Sequence, residues 1–363
     1  MVEQVNVQSP YSKPMTMGKS IIECVPNISE GRDIEKINRI VDAARISGVK
    51  ILGVEPDADY NRTVITFAGP PAEVEQAAFL LIEKAISEID MRQHSGEHPR
   101  MGCVDVFPFV PITGVSIEQC SEIAQRVSIK VADLSVPVFM YGGAASDPAR
   151  KSLSKLRKGE YEGLMDRFSG ESTIHDDVTR MPDYGTSEWI ESAQKSGAIT
   201  IGSRDILIAY NVNIDEKDAA ISKQIGSIVR SSGRLMKSID ASKRFRTNGL
   251  LTYVQGMGVP LESHGISQVS MNLQKYQETN LHHAYDVIES LAKDMRGEAI
   301  GSEIVGLVPL DSMVEAGIWY ADDKELSDEE YVAIAIEKLG LNSIHHFNPR
   351  ERIIEWSLEG DEI

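Results

Sequence analysis

The nine residues His94-Ser95-Gly96-Glu97-His98-Pro99-Arg100-Met101-Gly102 are the densest group of reactive side chains in the sequence. Two histidines four apart with a glutamate between them match H-x-x-E-H, which holds zinc when one helix face presents both imidazoles. The surrounding residues argue against that use. Gly96 lies inside the motif, and Pro99 disfavours the helical conformation at His98. No third-ligand motif follows, so no metal is expected. The other reading is a glycine-bounded loop that presents His98 between Glu97 and Arg100. An imidazole with a pKa near ~6.5 takes up and returns a proton at neutral pH, which suits general acid–base catalysis. The blander alternative is a loop histidine that caps the helix before it.

Asp57, Asp59, Asn61 and Arg62 bracket a turn before a β-branched run. Alone they read as turn chemistry. An Arg at the start of a strand is nevertheless rigidly held, as a guanidinium must be to grip a small dicarboxylate. The run Arg150-Lys151…Lys155…Arg157-Lys158 reads as a solvated helix face. Gly142-Gly143 and Gly256-Met257-Gly258 lack nucleotide-loop spacing, and no Ser/His/Asp triad is present.

Apolar periodicity sets the elements that must position these residues. Strands are expected at 21–25, 50–54, 63–67 and 104–112, and helices at 33–47 and 72–89. A helix over 116–131, a strand over 136–141 and a mixed polar stretch to about Gly197 follow. Strands at 205–212, 250–255, 267–273 and 302–310, with helices at 216–229 and 279–295, repeat the order. The expected fold class is therefore α+β, with β-α-β-β-α-β twice in tandem. An acidic amphipathic helix over 326–339 and an edge strand over 352–357 are expected at the end. The expected divisions are an extension outside the fold (1–19), an N-terminal subdomain (20–200), a C-terminal subdomain (201–312) and an acidic extension (313–363).

The 363 residues carry 37 Lys and Arg against 55 Asp and Glu, a net charge of −18. That surplus opposes nucleic-acid or anionic-membrane binding. Fourteen acids and four bases fall between Asp311 and Ile363, so most of the surplus is C-terminal and is expected to stand apart from the chemistry. Cys24, Cys103 and Cys120 form no spaced pair, which points to reduced thiols and a cytoplasmic location. No stretch approaches the ~18 apolar residues of a membrane span, and the polar N-terminus is no signal peptide.

Glu23-Cys24-Val25-Pro26-Asn27-Ile28-Ser29-Glu30-Gly31 resembles the opening of the glutamate formimidoyltransferases, a family that includes the formiminotransferase part of formimidoyltransferase-cyclodeaminase. Further blocks are similar to that family in the same order. They are Asn61-Arg62-Thr63-Val64, Gly96 through Gly102 with Asp105 and Pro108, Lys158 through Glu162, Pro182 through Gly185, Asn211-Val212-Asn213, Gln268 through Asn272, and Gly301 through Pro309. The likeness covers residues 20 to 312, and no cyclodeaminase portion is expected.

The resemblance implies two ferredoxin-like subdomains with a ligand cleft between their sheets, and His98 as the catalytic residue. It implies folate binding by Gly185, Ser187, Gly197 and Ala198, although the stretch Glu188 to Ser196 departs from the family pattern. The implied reaction moves a formimino group between N5-formiminotetrahydrofolate and L-glutamate. The tetrahydrofolate derivative is a co-substrate, and no metal takes part. Position and charge offer five substrate-binding residues: Glu97 or Asp59 to steady the amidinium, Arg62 and Arg100 to hold the glutamate carboxylates, and Asn61 beside them. A homodimer is expected. The alternatives are transfer of a formyl group from 5-formyltetrahydrofolate to glutamate, and folate binding without turnover.

Overall fold

A computed structural model of the chain describes residues 20–58, 60–96, 99–237, 243–322 and 325–359. Asp59, Glu97 and His98 lie outside the described residues. The chain divides after Arg204 into two compact units.

In the first unit, β1 (Ile21–Cys24) and β2 (Asn27–Ile28) form one line broken at Val25-Pro26. Proline has no N–H to give a ladder, although the Pro26 carbonyl still accepts from Ile65 N at 3.0 Å. This line lies between β4 (Arg62–Gly69) and β5 (Val104–Thr113), antiparallel to both, and β3 (Lys50–Asp57) pairs outside β4. On its other side β5 runs parallel to β7 (Ile199–Ser203), which runs parallel to β6 (Val138–Gly142). Helices Ile34–Asp42, Pro71–Glu88 and Ile117–Ala132 follow their start signals: Asp33 accepts from Lys36 N, Pro71 opens the second, and Ser116 and Gln119 form a capping box. Val74, Ala78, Leu81, Ile123 and Val127 from these helices are buried in one core with Ile22, Phe67, Phe107 and Phe109. A separate cluster joins Leu156, Leu164 and Phe168 to Met101, Val106, Phe139 and Tyr141.

In the second unit the four-stranded sheet runs β11 (Val254–Leu261), β12 (Ile266–Leu273), β8 (Ile208–Ile214), β13 (Ala299–Val305), all antiparallel. Among the four main strands of each unit the spatial order is thus second, third, first, fourth. Helices Ala220–Val229 and Leu281–Asp294 pack on this sheet through Ile225, Val229, Ala284 and Ile288. A two-stranded ribbon, β9 (Arg234–Lys237) with β10 (Arg244–Thr247), belongs to neither large sheet.

Three expectations are corrected here. The polar stretch before Gly197 holds five short helical segments. The strand expected over 302–310 ends at Val305, and helix Leu310–Tyr320 follows. The strand expected over 352–357 is helical, Pro349–Arg352 and Ile354–Glu359, with one parallel bridge from Ile353 to Val308. Residues beyond Asp311 supply Met313, Val332, Leu339, Phe347, Ile353 and Trp356 to the core of the second unit. Among the described residues no helix is long and apolar enough to cross a membrane.

Candidate functional site

The segment from His94 to Gly102 joins helix Pro71–Glu88, through the short 3-10 turn Met91–Gln93, to the buried strand β5. His94 is already extended, with φ −83° and ψ 133°, so its imidazole stands on no helix face. Its ring is engaged at both nitrogens: Nε2 lies 2.9 Å from the Asn61 carbonyl, and Nδ1 accepts from Arg100 Nε at 3.3 Å. A guanidinium only donates, so the proton of neutral His94 sits on Nε2. Burial holds the His94 pKa below its ordinary value. Among the described residues no group of three His, Cys, Asp or Glu is placed to hold a metal.

Asn61 fixes the N-terminal side of the segment. It adopts φ +50°, a conformation asparagine tolerates better than most residues. Its Nδ2 donates to Ser95 O at 2.8 Å, and its Oδ1 accepts from Gly31 N at 3.0 Å. Gly96 packs directly beside it. A Cβ there would stand 2.5 Å from Tyr60 O, so only glycine fits. Arg62 donates through Nη1 to Asn27 Oδ1 at 3.1 Å, and its buried Nε has no partner among the described residues.

The C-terminal side is held by ions. Arg100 is 5% exposed, and its fork donates twice to Glu162, at 2.8 and 2.7 Å. That bond keeps the Glu162 carboxyl below its ordinary pKa. Tyr161 N donates to Arg100 O at 2.9 Å. Asp105, 1% exposed, accepts from Met101 N at 3.0 Å and from Arg157 Nη2 at 2.5 Å. Burial outweighs the Arg157 charge and pushes the Asp105 carboxyl up to about 6. The segment 157–162 therefore grips the residues after His98 at three points.

Gly197 and Ala198 reach the same place through the main chain. Ala198 N donates to Met101 O at 2.9 Å, Cys103 N donates to Ser196 O at 2.7 Å, and Gly102 and Gly197 form an antiparallel bridge. Gly197 takes φ +66°, and a Cβ on it would lie 2.2 Å from Met101 O. Ala198 is fully buried, so this pair contributes backbone rather than side chains. Gly185 lies instead beside β6, next to the Tyr184–Val138 bridge, and Ser187 is exposed. The structure thus brings Asn61, Arg100, Gly197 and Ala198 to one segment, with Gly185 beside β6 and Ser187 exposed two residues further on.

Sequence reasoning gave no role to Asp105, Arg157 or Glu162, although Asp105 and Glu162 stand in the quoted blocks. The expected solvated face also needs correction. Arg150 is 4% exposed and donates to Asp183 at 2.5 Å, and Arg157 is half-buried on Asp105, whereas Lys151, Lys155 and Lys158 are exposed. The cue lay in the side-chain type, since arginine forks are the cations that fold into buried pairs.

Two mixed α+β units, with an ion-clamped histidine loop in the first, define the class, and comparison with known proteins gives the family. The model of the formiminotransferase domain, N-terminal subdomain, matches residues 21–204, and that of the formiminotransferase domain matches 209–359. The chain belongs to the formiminotransferase family. It is 38% identical over 347 residues to the formimidoyltransferase-cyclodeaminase of Dictyostelium discoideum, which covers 94% of this chain and 61% of that protein. It spans about three fifths of the cyclodeaminase-containing relatives it matches. The glutamate formimidoyltransferases of Thermoplasma acidophilum and Streptococcus pyogenes serotype M1 are 38% and 35% identical. In each case 83% of this chain is covered, and 92% and 93% of those proteins.

Proposed function

We propose that the chain transfers a formimino group between N5-formiminotetrahydrofolate and L-glutamate. The observation that carries this reading is the match to two glutamate formimidoyltransferases along more than nine tenths of their own length. The chemistry is amine exchange at an amidine carbon. The glutamate amine attacks that carbon and gives a tetrahedral adduct. His98 takes the proton from the attacking nitrogen and returns it to N5 as the C–N5 bond breaks. The clamped flanks of residues 94–102 support this role, because holding both reactants in register is worth up to ~7–11 kcal/mol.

Arg62 stands at a strand start, its Nε without a partner among the described residues, and serves a substrate carboxylate. Arg100 serves one only by exchange for Glu162. Glu97 or Asp59 steadies the amidinium, Asn61 completes the substrate side, and Gly185, Ser187, Gly197 and Ala198 form the folate side. The shared strand order of the two units supports ferredoxin-like subdomains. A cytoplasmic homodimer without a metal completes the reading.

The test offers both 5-formimino- and 5-formyltetrahydrofolate with glutamate and identifies the products by mass spectrometry. Formiminoglutamate as the main product is expected, and N-formylglutamate alone would replace the donor. Changing His98→Ala should lower turnover ~10²–10⁴-fold with folate affinity nearly unchanged. A matching loss of affinity would make His98 a binding residue.

A further inference from the structure

His94 has no part in the reaction as assigned, yet its ring joins three segments of the first unit. Its Nε2 donates to the carbonyl of Asn61, on the turn before β4, at 2.9 Å. Its Nδ1 accepts from Arg100 Nε at 3.3 Å, and the Arg100 Nη pair donates to Glu162 at 2.8 and 2.7 Å. Asn61 is itself fixed on Ser95 O and Gly31 N. The ring is half-buried, whereas Glu162 is exposed.

The two edges of the Arg100 guanidinium are thus used differently. Its inner edge, Nε, rests on an imidazole that is anchored elsewhere. Its outer edge, the Nη pair, holds a carboxylate at the surface, with a Glu160 oxygen 3.5 Å from Nη1. Such a fork takes carboxylates in one bidentate geometry whatever molecule carries them. Glu162 can therefore leave and another carboxylate enter while the inner contact persists.

We propose that neutral His94 is a positioning residue of this site: it holds Arg100 by Nε, so that the Nη pair stays aimed when a substrate carboxylate takes the place of Glu162. That this carboxylate belongs to L-glutamate rests on the reaction assigned above; the contact of His94 with Arg100 does not. Only the neutral ring serves. A second proton, on Nδ1, would set one N–H against another with no acceptor between them. Among the described residues, the charged groups around the ring are Arg100, Glu30, Arg32 and Glu162. Burial, and then Arg100, favour the neutral form.

Two amides separate the two contacts of the ring. His94→Asn sets an oxygen close to the place of Nδ1 and keeps an acceptor for Arg100. His94→Gln reaches the place of Nε2 and keeps only the donor to Asn61. In steady-state kinetics the asparagine variant should keep its glutamate KM within ~3-fold of the wild type. The glutamine variant should raise it ~10-fold or more, with kcat changed little. On the acid side, kcat/KM of the wild type should fall with one proton more than in either variant, which has no ring at 94 to titrate. Nitrogen-15 NMR of the wild-type imidazoles near neutral pH, with the His94 signals found by their loss in His94→Asn, should show Nδ1 bare and Nε2 protonated. That readout needs no turnover, so failure of the assigned reaction leaves it standing. Equal glutamate KM values for the two amides, an acid limb that neither variant changes, or a proton on Nδ1 would each overturn the proposal.

Discussion

At the scale of single residues, the buried pair Asp105–Arg157 bears most on the site. Asp105 is faced by Arg157 and Arg100, by Met101 N and, from β6, by the Tyr141 side chain. Its folded pKa of about 6 lies above the ~3.9 of an unfolded aspartate. The native state therefore holds this proton more tightly. The stabilisation it gives is complete below pH ~4 and is lost as pH rises through about 6. At pH 8 the ionised carboxylate depends on Arg157. Changing Arg157→Met should then cost roughly 3–5 kcal/mol, and clearly less at pH 5, where a proton can replace the arginine. Urea unfolding at the two pH values measures this, and equal losses would rule out the account.

Among the elements, helix Leu310–Tyr320 begins after Pro309 without a side-chain cap of its own. Glu355, from helix Ile354–Glu359, supplies one by accepting from Leu310 N at 2.8 Å. Burial, aided by Asp311 and Glu359, pushes its carboxyl up to about 7. This pKa is also raised, so the stabilisation it gives is complete below the ~4.3 of an unfolded glutamate and is lost as pH rises through about 7. The second unit should therefore lose about 1 kcal/mol between pH 6 and pH 8. Changing Glu355→Gln should flatten that slope in thermal melts, and an unchanged slope would place the titration elsewhere. Such a contact joins residues 45 apart and leaves no mark on local periodicity. The elements that were legible, such as Pro71–Glu88 and β5, carry their own signals in apolar spacing and caps. β7 did not, because a five-residue parallel strand buried on both faces shows no alternation. The ribbon was missed because its pattern is basic rather than apolar. That His94 stands off the helix was legible from Gly96 and Pro99 close behind it. The clamp was not, since Arg157 and Glu162 meet the loop only in three dimensions.

For the whole molecule, the acidic C-terminal stretch and the second unit are one body. Ending the chain after residue 322 would remove Val332, Leu339, Leu341, Phe347, Ile353 and Trp356, all buried. At ~1.5–3 kcal/mol for each large apolar side chain, the loss matches or exceeds the ~5–15 kcal/mol that holds a typical domain. The shortened chain should lose the cooperative unfolding of the second unit, as read by circular dichroism. Retention of two cooperative transitions would show that the stretch is dispensable.

The cysteines make the two halves chemically unlike. Cys24, Cys103 and Cys120 are all buried in the first unit, and the second has none. Burial raises all three pKa values, Cys103 and Cys120 to about 12, so almost no thiolate exists while that unit is closed. An alkylating reagent therefore acts as a clock wired to one half only. In rising urea its labelling should follow the opening of residues 20–204 and stay blind to the rest, so comparing it with the circular-dichroism curve shows which half gives way first.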